Sequence, residues 1–261
     1  MADALRETFD RVAGSYDTAR PTYPSELYDD LVELAELAPG ARLLEIGCGP
    51  GKATRPLLER GYSIVCVELG EQLAAEARRN LAGLPVQIHV SPFETFPGTP
   101  GGFDLVFAAT AWHWIDPTRR YPLAHARLRP GGHLAYWAAS HAFPADADPL
   151  FRELQPVYEE LGEAKVTDWP LPEDVPDDSA DIEASSLFED VEVRRYVWGR
   201  RYTADEYIAL LDTFSGHIAM GEAKRARLYG EIRRRVAERP DGMLDRHWLA
   251  ILHVARRREP S

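Results

Sequence analysis

The residues with the strongest chemical signature are Gly47, Gly49 and Gly51, in the stretch LLEIGCGPGKAT at residues 43–54. An apolar run enters the first glycine and a helix-forming run leaves the last. The glycines therefore occupy a strand-to-helix turn, where a β-carbon would obstruct an approaching ligand or the turn itself. Such a turn admits several ligands, and the spacing separates them. A dinucleotide fold uses G-x-G-x-x-G and aims the helix N-terminus at a pyrophosphate. The pattern here is G-x-G-x-G, and Pro50 deletes one of the N–H groups that a phosphate nest would use. The loop suits a ligand without phosphates.

Two further positions carry chemistry. Glu68 closes the apolar run YSIVCVE, seventeen residues beyond Gly51. A carboxylate at the tip of the strand beside the glycine loop can accept hydrogen bonds from both hydroxyls of a ribose, each worth about 1.5–3 kcal/mol when well formed. The plainer alternative is a solvated acid at a strand end. His113 stands between Trp112 and Trp114, just after the run FDLVFAAT. Its ordinary pKa, about 6.5, suits proton abstraction from a hydroxyl or amine acceptor. The same position suits a hydrogen-bonded pocket wall, and a carboxylate acceptor needs no base. Only two cysteines are present, Cys48 in the glycine turn and Cys66 in an apolar run, so no disulfide framework or thiolate metal site can be assembled. The eight histidines are scattered without ligand spacing, and no metal is expected.

The elements that must position these residues follow from periodicity. The runs ARLLEIG, YSIVCVE, VQIHV, FDLVFAAT and HLAYWAA alternate with helix-like stretches, including Lys52 to Arg60 and Gly70 to Asn80. That alternation predicts an α/β protein with an open, doubly wound, parallel sheet. Asp116 and Pro117 predict the cap and first turn of another helix, stopped by Arg129-Pro130-Gly131-Gly132. Upstream, Leu5, Phe9 and Val12 mark one leading helix, and Leu27, Leu31, Leu34 and Ala38 mark a second, ended by Pro39-Gly40. Downstream come an amphipathic segment around Leu150, Leu154 and Leu161, a strand at VEVRRYVWGRRY, a helical region from Thr203 to about Glu238, and a last strand at WLAILHVARR.

Length and charge bound the function. With 261 residues, 45% apolar and 10% aromatic, the chain can bury a full core. We expect a single domain over 1–261, divided into an N-terminal helical lid (1–40), a ligand-binding core (41–140), an acidic helix-loop excursion (141–190) and closing strands with a helical cap (191–261, the cap at about 203–245). A net charge of -12 repels phosphate and speaks against nucleic acid. No apolar run reaches the roughly 18 residues of a membrane span, and MADALRETFD lacks the parts of a signal peptide, so a cytoplasmic location is expected. Residues 141–190 hold 2 Lys+Arg against 15 Asp+Glu, and residues 191–261 hold 15 against 10. The basic part, with Arg225, Arg227 and Arg233 to Arg235, reads either as a solvated helix face or as a wall attracting an acidic substrate.

In this order, EIGCGPG, Glu68, FDLVFAATAWHW and LRPGGHL resemble the motifs of class I S-adenosylmethionine-dependent methyltransferases. The leading YDTARPTYP and trailing YTADEYIALLDTFSGH resemble the type 11, trans-aconitate methyltransferase-like subgroup. The resemblance implies a Rossmann-like, seven-stranded sheet with its last strand antiparallel, N-terminal helices and a helical C-terminal insertion. It implies S-adenosyl-L-methionine as cofactor, S-adenosyl-L-homocysteine as product, and a small-molecule acceptor, with a carboxylic acid among the candidates. Oligomeric state is left open. Carried over by position, Glu45, Gly47, Cys48, Gly49 and Gly51 surround the methionine part, Glu68 and Leu69 the ribose, and Phe93 and Glu94 the adenine. Where family members often have Asp, this chain has Ser91-Pro92, so Ser91 or a backbone carbonyl would accept from the adenine amine. Tyr16 and Arg20 lie in a segment that folds over the cofactor, with Arg20 facing its carboxylate. Ala108 and Ala109 bring the fourth strand close to the cofactor, and Tyr23, Trp112, His113 and Trp114 frame the acceptor. Two rival readings share many of these residues: a non-catalytic S-adenosylmethionine-binding protein, and a nicotinamide-dependent oxidoreductase, which the glycine spacing opposes.

Overall fold

In the computed structural model, which describes residues 20–163 and 166–259, the five apolar runs form the parallel part of one sheet. They are β1 (Arg42–Ile46), β2 (Ser63–Glu68), β3 (Val86–Val90), β4 (Phe103–Ala109) and β5 (Leu128–Trp137). Their spatial order is β3-β2-β1-β4-β5, so the strand order reverses beside β1 and β4. Helices cover both faces: α1 (Ser25–Leu34), α2 (Thr54–Glu59), α3 (Glu71–Asn80) and α4 (Arg120–Arg127). Alternate residues of β1 serve opposite faces, Leu43 packing with Leu27, Leu31 and Leu57, and Leu44 with Val65, Val106 and Ala124. Burial on both sides explains the nearly continuous apolar character of β1, β2 and β4, whereas the edge strand β3 is only partly buried and admits Gln87 and His89.

Three more strands complete the sheet: β6 (Ala139–Ala142), β7 (Phe188–Tyr202) and β8 (Leu244–Arg257). β8 runs antiparallel between β5 and β7. β6 follows β5 along the same edge of β8 without losing register, since Tyr136 faces His253 and Ala139 faces Ala250. Counted as a prolongation of β5, β6 leaves seven strands with only β8 reversed, as expected.

The remaining helices are α5 (Leu150–Glu153), α6 (Gln155–Glu160), α7 (Ser179–Ala184), α8 (Ala204–Leu211), α9 (Ser215–Ala219) and α10 (Glu222–Ala237). The helical region after β7 is thus broken into three. It starts at a reciprocal cap in which Glu206 N–H donates to Thr203 Oγ1 and Thr203 N–H donates to the Glu206 carboxylate. Leu150, Leu154, Tyr207, Leu228 and Ile232 meet Trp248 of β8 in a third apolar cluster.

Three boundaries differ from expectation. Asp116 does receive the N–H of Thr118, at 2.8 Å, but regular helix begins only at Arg120. Arg129-Pro130-Gly131-Gly132 already belongs to β5, where an irregularity between the Phe103–Leu128 and Leu105–His133 pairs absorbs it. The second leading helix ends at Leu34, short of Pro39. The first leading helix and Tyr16 lie outside the described residues. Among the described residues no helix is long and apolar enough to cross a membrane, and no His, Cys, Asp or Glu group could hold a metal ion.

Candidate active site

The glycine turn sits at the carboxyl end of β1, and its three glycines do different work. Gly47 has φ +69°, and a β-carbon there would lie 2.6 Å from Ala111 Cβ, so it clears the loop after β4. Gly51, at φ +95°, would bring a β-carbon within 2.8 Å of Leu81 Cδ1. It therefore serves chain packing and does not line the cavity, contrary to the expectation of ligand clearance. Gly49, at φ +53°, has no protein atom within 4 Å of its hypothetical β-carbon and forms part of the cavity wall.

Glu68 is not a solvated acid. It is 6% exposed, its Oε2 accepts the Gly49 N–H at 2.8 Å, and its Oε1 accepts the Gly70 N–H at 2.9 Å. Both oxygens are thus oriented by backbone N–H groups at the wall of a cavity. That cavity measures about 350 Å³ and opens above the carboxyl ends of β1, β2 and β4. Open α/β sheets bind ligands at such a reversal of strand order, and the volume lies within the range of small-molecule sites.

The expected adenine residues gather at one end of the cavity, with Leu69 beside them at the wall. Ser91 Oγ is buried and has no hydrogen-bond partner among the described residues, while its N–H donates to the Glu68 carbonyl at 3.0 Å. Phe93 belongs to the apolar core and lines the cavity as well. Glu94 accepts the Asp116 N–H at 3.2 Å.

At the other end a smaller lobe of about 70 Å³ is lined by Arg20, Tyr23, Glu45, Cys48 and Ala109. Glu45 is fully buried, and its Oε1 has no hydrogen-bond partner among the described residues. Burial, reinforced by the Glu68 carboxylate, pushes its pKa up to about 8. The Cys48 thiol is pushed well up by its bond to Cys66 and by burial, so it stays a protonated wall group. Arg20 Nε donates to Thr213 Oγ1 at 3.2 Å, and its Nη2 donates to the Thr213 carbonyl at 3.1 Å. The guanidinium lies 4.9 Å from the Phe214 ring centre. Tyr23 shares a 2.7 Å hydrogen bond with Thr110 Oγ1.

The loop after β4 corrects two assignments. Trp112 is 4% exposed, stacked at 5.1 Å on Tyr136 and set edge-on to Tyr121, so it is core and not pocket wall. Ala108 is fully buried in the same cluster, while its neighbour Ala109 lines both lobes. His113 and Trp114 do line the cavity. Desolvation and the Arg120 guanidinium hold the His113 pKa below its ordinary value, leaving the ring neutral at pH 7. Sequence reasoning missed Thr110, Ala111 and Ile115 as wall residues, and Phe214, which lies within the trailing motif. Of the two readings of the basic segment, the structure favours the surface helix face over the pocket wall. Arg225, Arg227, Arg233, Arg234 and Arg235 are ion-paired with Asp212, Glu160, Asp205, Glu231, Glu238 and Glu153, and none lines these cavities.

This architecture agrees with comparisons to known proteins. Residues 44–136 match the methyltransferase domain family. An uncharacterized methyltransferase of Mycobacterium tuberculosis is 37% identical over 128 residues, which are 49% of this chain and 50% of that protein. The malonyl-(acyl-carrier protein) O-methyltransferase of Enterobacter lignolyticus is 33% identical over 150 residues, 54% of this chain and 57% of its own. The chain thus spans about half the length of the curated relatives it matches. A solved candidate type II methyltransferase from Anaeromyxobacter dehalogenans superposes with a TM-score of 0.64 at 25% identity, covering 91% of this chain and 97% of its own.

The residues present fit S-adenosylmethionine, the cofactor that the sequence resemblance implies. The small lobe offers a guanidinium and a buried carboxyl, one oxygen of which has no hydrogen-bond partner among the described residues; with the Glu45 proton given up, the two match the carboxylate and ammonium of an amino-acid zwitterion. Glu68 fits the ribose, and the unpartnered Ser91 hydroxyl beside Phe93 fits the adenine edge.

Proposed function

We propose that the protein transfers a methyl group from S-adenosylmethionine to a small-molecule acceptor, and that the acceptor is an organic acid. The observation that carries this reading is the pairing of Glu45 and Arg20 in one lobe with Glu68 next to it, a set of charges matched to a methionine moiety followed by a ribose.

When bound, S-adenosylmethionine supplies a methyl group on a sulfonium, which leaves as a neutral thioether as the acceptor's electron pair forms the new bond. Glu45 and Arg20 hold the amino-acid end, and Glu68, fixed by two backbone N–H groups, holds the ribose. Trp114 and Phe214 wall the cavity against water, so that proximity and orientation supply most of the rate. His113, neutral at pH 7, accepts the proton of a hydroxyl acceptor; with a carboxylate acceptor no proton moves. The name of the Enterobacter lignolyticus relative, an O-methyltransferase acting on a malonyl group, supports an acid as acceptor.

The test is a panel of organic acids, phenols and amines incubated with methyl-labelled cofactor. Label is expected in an acid. Binding of S-adenosylhomocysteine with no methylated product from any acceptor would make this a binding protein, and label only in neutral phenols or amines would overturn the acid.

A further inference from the structure

A separate cavity of about 250 Å³ lies among β6, α5, α6, α8, α9 and β8, and it shares the Phe214 ring with the cofactor cavity. Its walls are aromatic, with Phe143, Phe151, Trp169 and Tyr207 among them. Leu154, Val166, Leu211 and Gln155 complete the wall, and into it projects one guanidinium, that of Arg246. In β8 the side chains alternate, Asp245 outward and Arg246 inward, so a guanidinium is carried into the third apolar cluster. Arg246 is 5% exposed, and among the described residues no carboxylate pairs with it. Its Nε has no hydrogen-bond partner, and its Nη1 reaches only the Tyr207 hydroxyl, at 3.5 Å.

A buried cation without a counter-ion is costly unless something else compensates it. Part of the compensation is aromatic, since the guanidinium lies 4.2 Å from the Trp248 ring centre, 5.3 Å from Phe214 and 5.8 Å from Tyr207. Among the described residues the charge itself has no counter-ion, and Arg20 on the same Phe214 ring adds to the positive field. Beside it His141 also lines the cavity, with its Nε2 buried and unpartnered. Burial and the Arg246 charge keep that ring neutral, so one tautomer presents an N–H to an anion.

We propose that this cavity binds the methyl acceptor, and that it takes a flat, apolar organic acid whose carboxylate is gripped by Arg246 with His141 beside it. The planar fork of a guanidinium matches a carboxylate through two parallel bonds, and the aromatic walls match a flat body. A carboxylate so engaged is the anchor. The methylated atom is a second nucleophilic group at the opposite end of the acceptor, reaching past Phe214 into the cofactor cavity. The inference rests on the methyltransferase reading, of which it supplies the acceptor half.

The experiment is a titration of the protein saturated with S-adenosylhomocysteine, following Trp fluorescence, with trans-cinnamate and its neutral isostere cinnamide. Cinnamate is expected to bind at least tenfold more tightly. Arg246→Met is expected to reduce that ratio to within twofold, and Arg246→Lys to retain part of it, with S-adenosylhomocysteine binding as the control for folding. Equal affinity for the two probes, binding of neither, or an undiminished ratio in a folded Arg246→Met overturns the proposal. If that variant does not fold, the ratio in the unmodified protein decides. Loss of the methyltransferase reading shows separately, as absence of S-adenosylhomocysteine binding in a protein that still prefers the acid.

Discussion

The Glu68 carboxylate accepts the Gly49 N–H at 2.8 Å, so the acid at the tip of β2 is fastened to the middle glycine of the turn after β1. With its second oxygen on the Gly70 N–H, the carboxylate is oriented before any ligand arrives. Preorganisation of this kind reduces the cost of binding.

Replacing Glu68 by Ala therefore has two expected effects. The S-adenosylhomocysteine dissociation constant should rise by about tenfold to a hundredfold, and stability should fall by about 1–3 kcal/mol because two backbone N–H groups lose their acceptor. Glu68→Gln, which keeps one oxygen acceptor, should fall between. Calorimetric titration and thermal unfolding measure the two effects, and an unchanged dissociation constant would leave Glu68 a purely structural group.

The glycines separate in the same way. Gly51→Ala should cost stability, through φ +95° and the approach to Leu81, with little change in cofactor affinity once folded. Gly49→Ala meets no protein atom, so beyond about 1–2 kcal/mol of left-handed backbone strain its effect should fall on cofactor binding. The same two measurements check both variants, and the opposite assignment of effects would refute this division.

Trp112 and Trp114 make a similar pair. Trp112→Ala should destabilise the fold by about 3–5 kcal/mol, as expected for a buried aromatic. Trp114→Ala should leave stability within about 1 kcal/mol and raise the acceptor KM. Denaturant unfolding and steady-state kinetics distinguish them.

The centre of the sheet was legible because β1, β2 and β4 are buried on both faces and read as nearly unbroken apolar runs, and the glycine turn because its spacing is set by backbone geometry. Glu68 was legible by position but not by environment, since the two N–H groups that bury it come from the turn after β1 and the residue at the start of α3. Trp112 and Trp114 look alike in sequence, and only the short turn they share sends one ring into the core and the other to the cavity. The run of arginines around Arg233 suggested an anion site, yet each has an acid on the same or a neighbouring helix. The buried guanidinium is Arg246, whose burial depends on strand alternation in β8 and on packing against helices distant in sequence.

Glu45 predicts a pH dependence with a definite sign. Its pKa is about 8 in the folded protein against an ordinary 4.5, so the folded form holds this proton more tightly than the unfolded chain. The stability contributed by this group is full below pH 4.5 and is lost as pH rises toward 8, at no more than about 1.4 kcal/mol per pH unit. Glu45→Gln should abolish that loss, and taking the difference between the two proteins cancels the contributions of the histidines. Near pH 7, binding of a ligand ammonium beside Glu45 should release up to one proton. Calorimetry in buffers of different ionisation enthalpy should show the release in the unmodified protein and none in Glu45→Gln.

Calorimetric titration of the purified protein with S-adenosylhomocysteine, and in parallel with NAD, tests the cofactor assignment most directly. Saturable one-site binding of S-adenosylhomocysteine with weak or no response to NAD is the predicted result, because Gly49 offers clearance at the cavity wall, Pro50 removes an N–H that a phosphate nest would use, and the lobe beside them holds Glu45 and Arg20 for an amino acid. Tight NAD binding with no response to S-adenosylhomocysteine would contradict it.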